Sequence, residues 1–157
     1  MKAKEGVLDS LNGSLTIELT AINQYFLAAR QCMAWGFPGV QARFRQVAMD
    51  EMKDTEELID HILYLEGLPN MQRLNTVRIG QTVPELYDAA LALEHGAVEH
   101  LRQAITHCAQ VGDYTTRSMF EGMIRDEEEH VDLFETQIDA IRTVGIERYL
   151  AQQLSGD

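Results

Sequence analysis

Two short stretches of this chain carry the residues best suited to chemistry. Asp50-Glu51-Met52-Lys53-Asp54 is echoed 76 positions later by Asp126-Glu127-Glu128-Glu129-His130, and the same offset carries Glu18 onto Glu94. Each half of the chain thus supplies one lone glutamate and one Glu-x-x-(Asp or His) pair. On a helix, positions three apart project from one face, so Glu51 points with Asp54 and Glu127 with His130. Glu18 interrupts an apolar stripe between Leu15 and Ile22. Five carboxylates cannot share a core unless cations offset their charge. Glu18, Glu51, Asp54, Glu94, Glu127 and His130 therefore read as a metal centre, although a glutamate alone on a helix is ordinarily just solvated. An oxygen-rich set with imidazole and no thiolate suits iron or manganese, whereas structural zinc prefers Cys and His.

Spacing locates the centre within the elements that must hold it. Glu18 and Glu51 are 33 residues apart, centred beside Trp35-Gly36; Glu94 and Glu127 are also 33 apart, centred just before Gly112. In an antiparallel helical hairpin, residues equidistant from the turn lie at one height. Each glutamate then sits ~24 Å along its helix from the turn, in mid-bundle.

The helices follow from three- and four-residue periodicity and from their stop signals. Leu8, Leu11, Leu15, Glu18, Ile22, Tyr25, Ala29 and Cys32 mark one face of a first helix over residues 4–34. Trp35-Gly36-Phe37-Pro38-Gly39 is a turn, and a second helix covers 40–65 until Gly67-Leu68-Pro69-Asn70 ends it. Residues 66–82 form a long irregular or extended link, with a β-leaning piece at Thr76-Val77-Arg78-Ile79; such a link crosses the length of a bundle. A third helix spans 83–111, with Pro84 suited to its start. Gly112 breaks it, Asp113 caps a fourth helix to residue 144, and 146–154 can form a short fifth. The expected fold is all-α: one domain over residues 1–157.

Composition closes off several functions. The chain has 157 residues, 45% of them hydrophobic and 24% charged, an ordinary folded composition. Its apolar runs are too short to span a bilayer, and the start Met1-Lys2-Ala3-Lys4-Glu5-Gly6 leads into no apolar signal core, so a cytoplasmic protein is expected. The net charge of −12 argues against a nucleic-acid or anionic-membrane partner. Cys32 and Cys108 lack CxxC spacing and fall in helical patterns, where a buried free thiol is the common outcome.

Beyond these features, Glu18, the run Ala21-Ile22-Asn23-Gln24-Tyr25-Phe26-Leu27, Asp50-Glu51-Met52-Lys53, Leu65-Glu66-Gly67-Leu68-Pro69-Asn70 and Asp126-Glu127-Glu128-Glu129-His130 resemble the bacterioferritins over nearly the whole chain. The resemblance implies a ferritin-like four-helix bundle with a long crossover and a short C-terminal fifth helix, whose di-iron donor set is a known one. It implies a ferroxidase: two Fe ions per subunit, ferrous iron oxidised by oxygen or peroxide, and ferric mineral stored in a 24-subunit shell. By position, Glu51 and Glu127 would bridge the irons. Glu18 with Asp54 would complete one, and Glu94 with His130 the other. Tyr25, two turns from Glu18 on the same face, would neighbour them and could supply an electron or a hydrogen bond; core packing would explain it equally well. Met52 would ligate haem b shared between two subunits across a two-fold axis. A second apolar stripe on the first helix, Leu19, Asn23 and Phe26, fits a subunit contact.

Three positions depart from the family pattern. Asp54 stands where the pattern has His, Gln46 where it has an iron-binding His, and Arg45 where it has an aromatic. Asp54 leaves open a second reading, a haem-bearing structural subunit with an impaired oxidation site in a mixed shell with another subunit type. A di-iron peroxidase or oxygenase on the same bundle is a third. The chain lacks the Cys-rich module such proteins usually add, and the candidate fifth helix disfavours a small DNA-protecting ferritin.

Overall fold

The computed structural model describes residues 1–155. Four long helices, α1 (Val7–Ala34), α2 (Pro38–Tyr64), α3 (Val83–Val111) and α4 (Tyr114–Val144), are followed by a short α5 (Ile146–Ala151). Among the described residues there is no strand. No helix among the described residues is long and apolar enough to cross a membrane.

Helix ends follow local chemistry. α1 starts at Val7 rather than near residue 4 because Gly6 has φ 74°, a left-handed conformation outside the helical range. α2 begins two residues earlier than expected, at Pro38, whose missing N–H and fixed φ suit a first helical turn. α3 has the expected bounds: Thr82 caps it, its Oγ1 accepting from the Glu85 N–H, and Gly112 closes it at φ 71°. Asp113 caps α4 as anticipated, its Oδ1 accepting from the Thr116 N–H at 3.0 Å and its Oδ2 from the Thr116 hydroxyl at 2.7 Å. α5 is shorter than the expected 146–154.

The link between α2 and α3 forms no regular element, and α1 side chains satisfy its backbone. Asn12 accepts from the Asn70 N–H at 2.8 Å, Thr20 from Asn75 at 3.0 Å and Gln24 from Arg78 at 3.1 Å, while Gln31 donates to the Gly80 carbonyl at 3.0 Å. These partners climb α1 in order, so the link runs parallel to α1 for most of its length. The β-leaning Thr76–Ile79 piece is part of this crossover, paired to helix side chains instead of a strand.

That crossover returns the chain to the far end of the bundle, and α3 descends antiparallel to α1. His107 and His100 on α3 meet the Glu5 and Ser10 carbonyls near the start of the chain, while Tyr25 meets Glu94 higher up. Pairing of α1 with α2 and of α3 with α4 completes the bundle.

The core has two apolar clusters. One gathers Leu11, Leu15, Leu58, Ile62, Leu101 and Phe120; the other gathers Tyr25, Phe44, Val47, Tyr87, Ala90 and Phe134. Each fully buried Leu or Phe contributes roughly 1.5–3 kcal/mol, and Leu15→Ala in such packing costs about 2–5 kcal/mol. Cys32 and Cys108 are buried and free, as expected. Burial pushes their thiols up to about 12 and about 11.

Candidate metal centre

Between the two apolar clusters lies a polar layer. Glu18 comes from α1, Glu51 and Asp54 from α2, Glu94 from α3, and Glu127 and His130 from α4. All six side chains are buried; Glu94 is 0% exposed, Glu51 and Glu127 1%, and Asp54, the most accessible, 8%. The hairpin argument explains the common height. A helix advances a fixed distance per residue, so equal counts from each turn bring four helices level.

The six residues form two overlapping sets. Glu51, Glu94, Glu127 and His130 make one; Glu18, Glu51, Asp54 and Glu127 make the other. Within each set the potential ligand atoms lie within 4.8 Å of one another. The structure thus brings together every residue that the sequence singled out for the centre, with Glu51 and Glu127 common to both sets.

The hydrogen bonding inside this layer is incomplete. Glu18 Oε2, both Glu51 oxygens, Glu94 Oε2, Glu127 Oε1 and His130 Nδ1 are buried with no hydrogen-bond partner. Nδ1 of His130 faces Glu51 Oε1 at 3.0 Å, and Glu94 and Glu127 oxygens at 3.8 Å. Each unsatisfied buried polar group costs about 1–3 kcal/mol, more when charged. His130 Nδ1 and Glu51 Oε1 form an ion pair, and the four remaining oxygens, Glu18 Oε2, Glu51 Oε2, Glu94 Oε2 and Glu127 Oε1, fit divalent cations.

Electrostatics point the same way. Burial, then the Glu51 and Glu127 charges, raises Glu18 well above the usual carboxylate range. Burial also raises Glu51. Asp54 is pushed up to about 8 by burial and the charges of Glu51 and Glu127, and Glu127 to about 8 by burial and Glu94. For His130, burial opposes the charge, but the carboxylates of Glu127, Glu51 and Glu94 outweigh it and hold the ring protonated. Protons here do what a cation would do: they neutralise carboxylates that water cannot reach.

Tyr25 borders the layer. Its hydroxyl donates to Glu94 Oε1 at 2.5 Å, and its ring packs between Phe44 and Phe134. Both sequence readings of Tyr25, core packing and hydrogen bonding, describe it. Burial and the Glu94 charge raise its hydroxyl well above the ordinary tyrosine value.

One neighbouring role was not anticipated. Asp50 Oδ2 lies 3.4 Å from His130 Nε2, while Gln46 donates to Asp50 Oδ1 at 3.0 Å. Asp50, Lys53, Asp54, Asp126, Glu129 and His130 line a cavity of about 260 Å³ beside the layer. The internal repeat held the signal, since it aligns Asp50 with Asp126 just as it aligns Glu51 with Glu127.

Met52 lies elsewhere. It is 51% exposed on the outer face of α2, with Met49, one turn away, 43% exposed. On α1, Phe26 and Asn23 of the second stripe are exposed and Leu19 is half-buried.

Two antiparallel helix pairs joined by a long crossover, with a buried layer of carboxylates and imidazole, define a ferritin-like protein whose core fits a metal site. A ferritin-like domain family matches residues 8–144. The chain is 44% identical to the bacterioferritin of Mycolicibacterium paratuberculosis, covering 99% of this chain and 98% of that protein. It is 43% identical to that of Mycobacterium leprae over the same shares, and 37% identical to that of Brucella melitensis over 95% and 92%. The chain belongs to the bacterioferritin family of iron-storage proteins.

Proposed function

We propose that this chain is a ferroxidase subunit, oxidising ferrous iron at the six-residue layer and storing ferric mineral inside a cytoplasmic shell of twenty-four subunits. The observation that carries this reading is the set of buried, unpartnered ligand atoms arranged as two overlapping groups. Glu51 and Glu127 would bridge two substrate irons, Glu18 and Asp54 would complete one position, and Glu94 and His130 the other. Two ferrous ions surrender two electrons; with two protons these reduce oxygen to hydrogen peroxide, or peroxide to water. The acidic cavity beside Asp54 and His130 gives cations a route to the layer. Tyr25 fixes the Glu94 carboxylate through its hydrogen bond.

Met52 is our candidate ligand for haem b. A half-exposed thioether one turn from exposed Met49 suits a flat apolar group held between two copies of the chain. Haem bound there would supply electron transfer.

A second reading rests on Asp54, which leaves one ligand set without nitrogen. Under it the chain is a haem-bearing structural subunit whose oxidation site works poorly unless mixed with another subunit type. An anaerobic ferrous titration of shells made only of this chain, followed by oxygen, separates the two. Binding of two irons per chain and rapid oxidation support the first; binding without rapid oxidation supports the second. Light scattering on the same sample should report several hundred kilodaltons for chains of 17.8 kDa. A stable monomer defeats both.

A further inference from the structure

The two ligand sets are chemically unequal. Glu51, Glu94, Glu127 and His130 offer three carboxylates and an imidazole; Glu18, Glu51, Asp54 and Glu127 offer four carboxylates and no nitrogen. The inequality falls at corresponding places in the internal repeat, where Asp54 answers His130 and the paired glutamates match. Among the described residues no histidine or cysteine joins the second set.

Glu94 and Tyr25 are both 0% exposed, while Asp54 of one set and His130 of the other both border the cavity of about 260 Å³, which has room for water ligands. An all-oxygen shell completed by water is the environment of hard, octahedral divalent ions, whereas imidazole favours iron over manganese. Of the residues peculiar to the second set, Glu18 has a buried, unpartnered oxygen (Oε2), and the shared Glu51 (Oε2) and Glu127 (Oε1) add theirs.

We propose that the centre sorts two kinds of divalent cation, ferrous iron at the Glu94/His130 position and a hard ion of the manganese class at the Glu18/Asp54 position. This rests on the reading of the layer as a two-metal centre. Raw affinity for iron exceeds that for manganese at most sites, so absolute preference does not decide the arrangement. With one equivalent of each ion per chain, iron cannot fill both positions. The outcome then depends on the ratio of the two selectivities, and the position with nitrogen holds the larger one.

The test uses the metal-depleted full-length assembly, loaded without oxygen with one equivalent each of Fe²⁺ and Mn²⁺ per chain. Anomalous scattering at the two absorption edges in crystals reads each metal at each position, and electron paramagnetic resonance counts bound Mn²⁺ in solution. The iron-to-manganese ratio at the Glu94/His130 position should exceed that at the Glu18/Asp54 position by about tenfold or more. Asp54→His should bring the two ratios close to equality. Equal ratios in the parent protein, or manganese concentrated beside His130, overturn the proposal while leaving a two-metal centre standing. Absence of manganese from both positions also overturns the proposal, and a position that binds neither metal removes the two-metal centre and the proposal with it.

Discussion

Glu51 and Glu127, 76 residues apart in sequence, belong to both ligand sets at the middle of the bundle, and each is 1% exposed. A change at either would reach both proposed metal positions. Glu127→Gln should lower the initial rate of iron oxidation by at least about 100-fold, since even supporting groups around a metal are worth 10–100-fold. The same substitution removes a buried carboxylate, so the metal-free variant should melt above the metal-free parent at pH 8. Stopped-flow absorbance and calorimetry read the two effects, and an unchanged oxidation rate would refute the shared role.

The metal-free protein should lose stability as pH rises. Unfolded, Asp54 and Glu127 titrate near their ordinary 3.8 and 4.5; folded, both are pushed up to about 8. Between those values the folded state keeps protons that the unfolded chain has released, so the stability gained at low pH is lost as pH climbs through about 8. Glu18 and Glu51, raised likewise, act in the same sense, and so does His130 above its ordinary 6.5. The melting temperature of metal-free protein should fall from about pH 5 to about pH 9, and saturating divalent metal should flatten the slope. A metal-free melting temperature that rises across this interval contradicts the account.

Tyr25→Phe deletes the donor to Glu94 Oε1, leaving that oxygen only the His130 ring at 3.8 Å, while Oε2 has no partner already. The metal-free variant should lose about 1–3 kcal/mol. Iron oxidation should slow by roughly tenfold with binding stoichiometry unchanged, as expected of a group that orients a ligand. Loss of an iron position, measured by anaerobic titration, would instead make the tyrosine part of the binding set.

Asp54→His removes one negative charge from the layer and gives the second ligand set an imidazole. Initial iron oxidation should rise, and the two positions should fill with iron at similar concentrations. An unchanged rate, with equal filling in the parent protein, would show that Asp54 serves as well as a nitrogen ligand.

Met52→Leu keeps the apolar bulk on the outer face of α2 and removes the sulfur. The purified assembly should then lack the haem absorbance band expected of the parent at about one haem per two chains, with its size unchanged. Retention of that spectrum would move the ligand elsewhere, with exposed Met49 the next residue to test.

The sequence by itself determined which residues form the polar layer and at what height. Helical rise is fixed, so counting from the hairpin midpoints beside Gly36 and just before Gly112 levels Glu18, Glu51, Glu94 and Glu127 without knowledge of packing. The i,i+3 rule brings Asp54 and His130 onto the same faces. Helix caps at Asp113 and Gly112 were equally legible, because each depends on chemistry within a few residues. Only the tertiary structure decided how each helix turns about its own axis and what fills the space between helices. The pairing of Asp50 with His130, the donation from Tyr25 to Glu94 and the cavity beside Asp54 are such outcomes. So is the path of the crossover, whose backbone is held by Asn12, Thr20, Gln24 and Gln31 of α1. A periodic pattern specifies which face is buried but leaves its rotation and spacing undefined by several degrees and ångströms. Contacts of 2.5–3.4 Å depend on both, and the packing of the two apolar clusters above and below the layer sets them.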